Sequence, residues 1–234
     1  MTAVLKAVED LGGMPSVHEE CLPEVGYQID SNDCWVRVFA RAKLPTHFGE
    51  FNILVFKNSL DEKEHVAIVR GNVHEQMNVP TRVHSECLTG DVFGSMRCDC
   101  RDQLEFALNS LGTQDCGVLV YLRQEGRGIG LKNKLLAYQL QDNGLDTVEA
   151  NEELGYAPDL REYGIGAQII KECGITKMKL MTNNPKKIIG LEGYGLEVVG
   201  RESLDIQPNK NNEKYLKTKK EKLGHFIFGD KKND

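Results

Sequence analysis

No apolar run in this sequence approaches the ~20 residues that a membrane-crossing helix needs. The opening residues, Met1-Thr2-Ala3-Val4-Leu5-Lys6 followed by Glu9 and Asp10, offer neither a basic stretch nor a long apolar core, so they do not read as a signal peptide. Positive charge is also short, with 29 Lys and Arg against 35 Asp and Glu, a formal net charge of −6. Broad nucleic-acid binding usually needs a basic face, and that balance argues against it. Cysteine comes in an odd number, seven, which rules out a complete disulfide framework. With no export signal the thiols are expected to stay reduced, as core residues or metal ligands, in a soluble cytoplasmic protein with no membrane or nucleic-acid partner. What is present is ordinary globular material. The 234 residues are 40% hydrophobic and 27% charged, enough for one large domain or two small ones around a real core.

The pattern changes character along the chain. Residues 1–40 read as a prefix of unknown role, interrupted by Gly12-Gly13-Met14-Pro15 and Pro23. Short β-like runs then follow at 36–39, 51–56 and 65–69, separated by Gly, Asn and Asp, which predicts an antiparallel sheet. After Cys100 the period becomes helical, with Leu104, Ala107, Leu108 and Leu111 forming an apolar stripe. A buried strand is expected at 117–122 and a helix at 131–141, with Leu131, Leu135 and Tyr138 on one face. Further helices are expected at 165–173 and after Pro185, with strands at 178–181 and 196–199. The predicted class is therefore α/β with α+β character, an antiparallel β-rich part followed by alternating strands and helices. The lysine-rich stretch 209–222 reads as a solvated helix, because glutamates and asparagines dilute its charge.

Three segments carry candidate chemistry. Cys87, Cys98 and Cys100 form C-x10-C-x-C within polar surroundings, Glu86, Asp91, Arg97 and Asp99. Three thiolates are one short of a closed structural zinc site and match a catalytic zinc that keeps its fourth position open. Two other readings stand beside this one: three inert buried cysteines, or a structural site completed by His84. In an extended segment, Cys98 and Cys100 would share one face. The second segment, Arg123-Gln124-Glu125-Gly126-Arg127-Gly128-Ile129-Gly130, is a glycine-rich turn between a strand and a helix, where backbone N–H groups and Arg127 can meet an anion. Thr182-Asn183-Asn184-Pro185-Lys186-Lys187 is a second strand-to-helix turn of that kind, or simply a capped helix start with exposed lysines. Pro158-Asp159-Leu160-Arg161 reads on spacing alone as a charged loop with an Asp cap.

Taken in order, Arg82-Val83-His84-Ser85-Glu86-Cys87-Leu88-Thr89-Gly90-Asp91, Arg97-Cys98-Asp99-Cys100, Arg123 to Leu131, Asp146 to Asn151, Asp159-Leu160-Arg161 and Thr182 to Lys187 closely resemble GTP cyclohydrolase II. The resemblance reaches Asn212-Glu213-Lys214-Tyr215-Leu216 and Leu223-Gly224-His225, about residues 40–226. It implies hydrolysis of GTP to formate, pyrophosphate and 2,5-diamino-6-(5-phospho-D-ribosylamino)pyrimidin-4(3H)-one, the first step of riboflavin biosynthesis. It further implies one zinc per subunit on Cys87, Cys98 and Cys100, magnesium with the triphosphate, and a homodimer. GTP would be contacted by Arg82, Val83, His84, Ser85, Glu86, Gln103, Glu125, Gly126, Arg127, Thr147, Thr182 and Lys187. Tyr138 is a further candidate near the base, or a core aromatic. Asp159 would accept a proton. Arg161 would act as nucleophile on the α-phosphorus, or else stabilise charge as a cation, since a guanidinium stays protonated.

Glu162 stands where the family often has aspartate, and Gly164 follows it. The family's common N-terminal partner domain, which makes the pathway's four-carbon unit, is far longer than the prefix here. The expected organisation is a prefix at 1–40, a catalytic domain at 41–226 and a flexible tail at 227–234. The alternatives to an active cyclohydrolase are a homologue that removes pyrophosphate without opening the ring, and a non-catalytic, zinc-stabilised guanine-nucleotide-binding module.

Overall fold

The computed structural model describes residues 35–226. The prefix and tail expected at 1–40 and 227–234 therefore lie outside the described residues, apart from 35–40, of which 36–40 open the first strand. Seven strands form one sheet: β1 (Val36–Thr46), β2 (Gly49–Asn58), β3 (His65–Arg70), β4 (Val79–Ser85), β5 (Gly117–Leu122), β6 (Lys177–Met181) and β7 (Glu197–Glu202). Their spatial order is β1-β2-β3-β5-β4-β6-β7. The first half is antiparallel, β1 to β2 to β3 to β5, and the second half is parallel, β5 with β4, β4 with β6 and β6 with β7. The expected antiparallel part and alternating part are thus two halves of a single mixed sheet. Six α-helices accompany it: α1 (Cys100–Gly112), α2 (Gly130–Asp142), α3 (Thr147–Glu153), α4 (Gly164–Glu172), α5 (Pro185–Glu192) and α6 (Glu213–Glu221).

β5 is central, buried on both faces, as its nearly unbroken apolar run Gly-Val-Leu-Val-Tyr-Leu requires. Val118, Val120 and Leu122 point to one side with Leu54, Phe56, Val69 and Val83, where α4 lays down Ile165, Ile169 and Ile170. Leu119 points to the other side, against Phe51 and the Ala107 and Leu111 of α1. The period-2 alternation of β4 divides its residues in the same way. Val79 and Val83 enter the first core, while Arg82 and His84 turn to the α1 side and become polar furniture of a pocket.

Two expectations about the helices need correction, and one strand has no counterpart among the expected elements. In α2 the buried residues are Lys134 and Ala137, while Leu135 is 47% exposed, so the apolar face read for this helix is not its packing face. The stretch read as a solvated helix is α6, which buries Leu216, Thr218 and Lys219. That strand is β4, because Pro80 interrupts the run and Thr81 puts a polar residue on its inward face. No helix among the described residues is long and apolar enough to cross a membrane.

Candidate active site

The three cysteines meet where β4 ends and α1 begins. Cys87 precedes a short π-helical turn, Leu88–Val92, and Cys100 is the first residue of α1. The Cys98–Cys100 segment is not extended as expected. Asp99 lies at φ −107°, ψ 15°, and this turn into the helix is what gathers the sulfurs. Cys87 Sγ and Cys98 Sγ are 3.8 Å apart, and all three sulfurs lie within 4.8 Å of one another. Four-coordinate zinc with ~2.3 Å bonds to sulfur sets its ligands ~3.8 Å apart, so the donor set fits that metal. Gly90 completes the cradle. A Cβ there would stand 2.9 Å from Cys98 Sγ and 3.2 Å from Cys87 Sγ, space the thiols occupy. Among the three thiols, hydrogen bonds from Cys100 and Cys98 and the nearby Lys134 ammonium hold Cys87 well below the ordinary range, while Cys98 and Cys100, sharing those bonds and buried, are pushed up.

His84 is not part of the thiol cluster. Its Nε2 lies 3.1 Å from Asp91 Oδ1, and its ring stacks on Tyr121 with centroids 5.4 Å apart. The same aspartate accepts the Tyr121 hydroxyl at 2.7 Å and the Cys87 backbone N–H at 2.9 Å. Asp91 thus orients an imidazole and the metal loop together. Burial pushes the His84 pKa down against the pull of Asp91, so the ring is neutral, and its buried Nδ1 has no partner among the protein atoms.

A pocket open to solvent runs from this cluster to the C-terminal ends of the parallel strands. That is where open α/β sheets place ligands. Arg82, Arg97, Arg127, Lys134, Arg161, Lys187 and Lys219 all line it, against the carboxylates of Glu86 and Glu125. A chain of formal charge −6 with 29 Lys and Arg thus places seven of them around one cavity, an arrangement suited to an anionic ligand.

The cations are held by a connected scaffold. Arg82 donates to the Met181 carbonyl at 2.9 Å and to Gln103 Oε1 at 2.7 Å. Gln103 in turn donates to Asp99 Oδ2 at 2.5 Å. Burial lowers the Arg82 pKa to about 10, which leaves it a cation at neutral pH. Arg161 forms a two-pronged pair with Asp159, Nε to Oδ1 at 2.8 Å and Nη2 to Oδ2 at 2.6 Å. Asp159 does not cap α4; its carboxylate is committed to Arg161. Burial works against the Asp159 carboxylate, but the Arg161 guanidinium overrides it and holds the pKa at about 2. The Lys187 Nζ donates to the Val83 carbonyl at 2.6 Å. Burial, with Arg82 and Arg161 close by, drives its pKa well below the ordinary lysine value.

The glycine-rich turn has a left-handed backbone at Gly126 (φ 62°) and also at Arg127 (φ 60°), where an L side chain is strained. Two hydrogen bonds hold it there. Arg127 Nη1 donates to the Pro158 carbonyl at 3.3 Å, and Leu160 N–H donates to the Arg127 carbonyl at 3.1 Å. The turn therefore fixes the loop that carries Asp159 and Arg161.

Of the residues singled out by sequence, Arg82, His84, Ser85, Glu86, Gln103, Glu125, Gly126, Arg127, Tyr138, Thr147, Arg161, Thr182 and Lys187 line this pocket with the three cysteines. Val83 does not: its side chain is in the core and only its carbonyl faces Lys187. Asp159 stands behind Arg161. The Tyr138 hydroxyl lies 3.2 Å from Thr89 Oγ1, and its ring lies under Arg97, 4.8 Å away. Lys134, Tyr215, Lys219 and His225 also line the pocket, although sequence reasoning gave them no role. Tyr215 and Lys219 lie four residues apart on α6, a spacing that puts both on one helical face. Burial first, then Lys219, Arg127 and Arg161, hold the His225 pKa down to about 2.

Comparison with known proteins adds relatives to this geometry. The profile of the GTP cyclohydrolase II family matches residues 37–203. "Riboflavin biosynthesis protein RibBA" of Endomicrobium trichonymphae is 58% identical over 184 residues, 79% of this chain and 46% of that protein. The protein of the same name from Bacillus subtilis (strain 168) is 60% identical over 185 residues, again 79% of this chain and 46% of the relative. That from Synechocystis sp. is 54% identical over 205 residues, 87% of this chain and 37% of its own length. The chain spans about half the length, or less, of these curated relatives.

Proposed function

Since the chain belongs to the GTP cyclohydrolase II family, we propose that it hydrolyses GTP to formate, pyrophosphate and 2,5-diamino-6-(5-phospho-D-ribosylamino)pyrimidin-4(3H)-one, the first step of riboflavin biosynthesis. The observation that carries this reading is the meeting of a three-thiol cluster and a cation-lined basin in one pocket. Ring opening at guanine C8 and release of pyrophosphate are two reactions on one substrate. They need a Lewis acid at one end and charge stabilisation at the other.

Cys87, Cys98 and Cys100 hold the zinc, one per subunit. When bound, that zinc makes a water nucleophilic at neutral pH. His84 is oriented through its Nε2 by Asp91 of the metal loop, and its buried Nδ1 is left without a partner among the protein atoms. Arg127, Arg161, Lys187 and Lys219 would receive the triphosphate, with magnesium supplying further counter-charge. Thr147, Thr182 and Tyr138 complete the walls. Arg161 acts as a cation. Burial works against its charge, but the pairing with Asp159 overrides it, so the guanidinium stays protonated, without the lone pair a nucleophile needs, as a fixed charge for the α-phosphate. The catalytic domain begins at Val36, where β1 joins the sheet, rather than at 41, and runs through residue 226 of a cytoplasmic homodimer.

The test is product analysis of zinc-loaded protein with GTP and magnesium, measuring formate and pyrophosphate together. Equal yields of both, abolished by Cys98→Ser, are expected. Pyrophosphate without formate would point instead to a homologue that keeps the nucleotide site but leaves the ring closed. Neither product from a folded, zinc-loaded chain would leave a nucleotide-binding module.

A further inference from the structure

Lys134 stands one turn into α2 with its side chain 11% exposed, between the thiol cluster and Glu125. Its Nζ donates to Cys87 Sγ at 3.2 Å and to Glu125 Oε1 at 2.7 Å. The carboxylate of Glu125 is itself fixed. Its Oε2 accepts from Leu88 N–H at 2.7 Å and its Oε1 from Gly126 N–H at 2.7 Å. Glu125 thus binds the metal loop and the glycine-rich turn to one lysine. With both oxygens taken by the chain's own donors, its side chain is occupied by this role. A buried ammonium is costly unless anions surround it, and here the two groups on it are a carboxylate and a sulfur.

Three thiolates on one divalent cation leave a net negative charge, and that charge weakens the pull of the metal on a fourth ligand. A hydrogen bond to a thiolate withdraws density from the sulfur and offsets the loss, and such outer contacts tune metal sites generally. We propose that Lys134 is a positioning residue for the metal centre: its ammonium, held by Glu125, donates to the Cys87 thiolate and keeps the zinc a strong Lewis acid. The proposal rests on the reading of the three thiols as zinc ligands.

The experiment uses the full chain and its Lys134→Met and Lys134→Arg variants, each loaded with Co2+ alone and read by the sulfur-to-cobalt charge-transfer band before nucleotide is added. One cobalt per chain is expected in all three. Without its donor the thiolate gives up an electron more readily, so the band moves to lower energy in Lys134→Met and returns toward the parent position in Lys134→Arg. With zinc, formate release by Lys134→Met falls about 10- to 100-fold in kcat while KM for GTP changes less than about threefold. A band that stays in place at full cobalt occupancy, or a raised KM with kcat kept, overturns the proposal. If Lys134→Met does not fold, Glu125→Gln must move the band in the same direction, and no movement there overturns it equally. A parent chain with no sulfur-to-cobalt band overturns the zinc reading and the proposal with it, whereas a band indifferent to Lys134 overturns the proposal alone.

Discussion

Lys219 and Asp99 are 120 residues apart in sequence and form an ion pair at 2.7 Å, with side chains 9% and 4% exposed. Asp99 lies between two of the candidate zinc ligands, so the pair fastens α6 to the metal loop. Removing one member leaves the other charge buried and unpaired. Lys219→Met is therefore expected to destabilise the fold by about 3–5 kcal/mol, read as a lower urea midpoint. The double variant Asp99→Asn/Lys219→Met should recover part of that loss, since neither charge is then stranded.

Gly90→Ala tests the cradle. Its Cβ would stand 2.9 Å from Cys98 Sγ, closer than real carbon atoms tolerate, so a thiol must move. Zinc affinity, measured by competition with a chromogenic chelator, should fall about 10-fold or more, with the sheet unaffected by circular dichroism.

Acid should loosen the fold through its histidines. Burial first of all holds His65, His84 and His225 below their ordinary value of 6.5. As the pH falls past 6.5 the unfolded chain takes up these protons and the folded chain does not. Stability therefore rises with pH in this window and is lost on acidification. The urea midpoint should drop between about pH 7.5 and about pH 5.5, and His225→Gln should flatten part of that slope. An unchanged slope would mean that His225 is not buried as described.

Asp159 and Arg161 give a kinetic test. With Arg161 acting as a cation, no guanylyl adduct should appear on it by mass spectrometry of protein quenched during turnover. Arg161→Lys should lower pyrophosphate release about 100-fold or more, because a single ammonium cannot reproduce the two-pronged hold on Asp159. A trapped adduct would restore the nucleophile role.

The strands and helices with a clean period were legible in the sequence. The stripe of Leu104, Ala107, Leu108 and Leu111 became α1, and the apolar run 117–122 became β5. β4 is hidden in the sequence by Pro80 and the inward Thr81, which weaken a strand signal that Arg82, Val83 and His84 otherwise alternate correctly. The thiol cluster could be proposed from spacing, but its geometry comes from the turn at Asp99, which no period encodes. Lys134 and Lys219 were missed for one physical reason. A lysine is read as solvated until a partner is known, and their partners, Glu125 and Asp99, are supplied by tertiary structure.

The pocket draws its walls from Arg82, in the fourth strand, to His225 near the end of the described residues. A ribosome would therefore deliver the thiols early and the last cations late. A nascent chain that has completed all seven strands still lacks Tyr215, Lys219 and His225, and with them part of the basin. The cation-lined basin is then complete only when α6 docks and Lys219 meets Asp99.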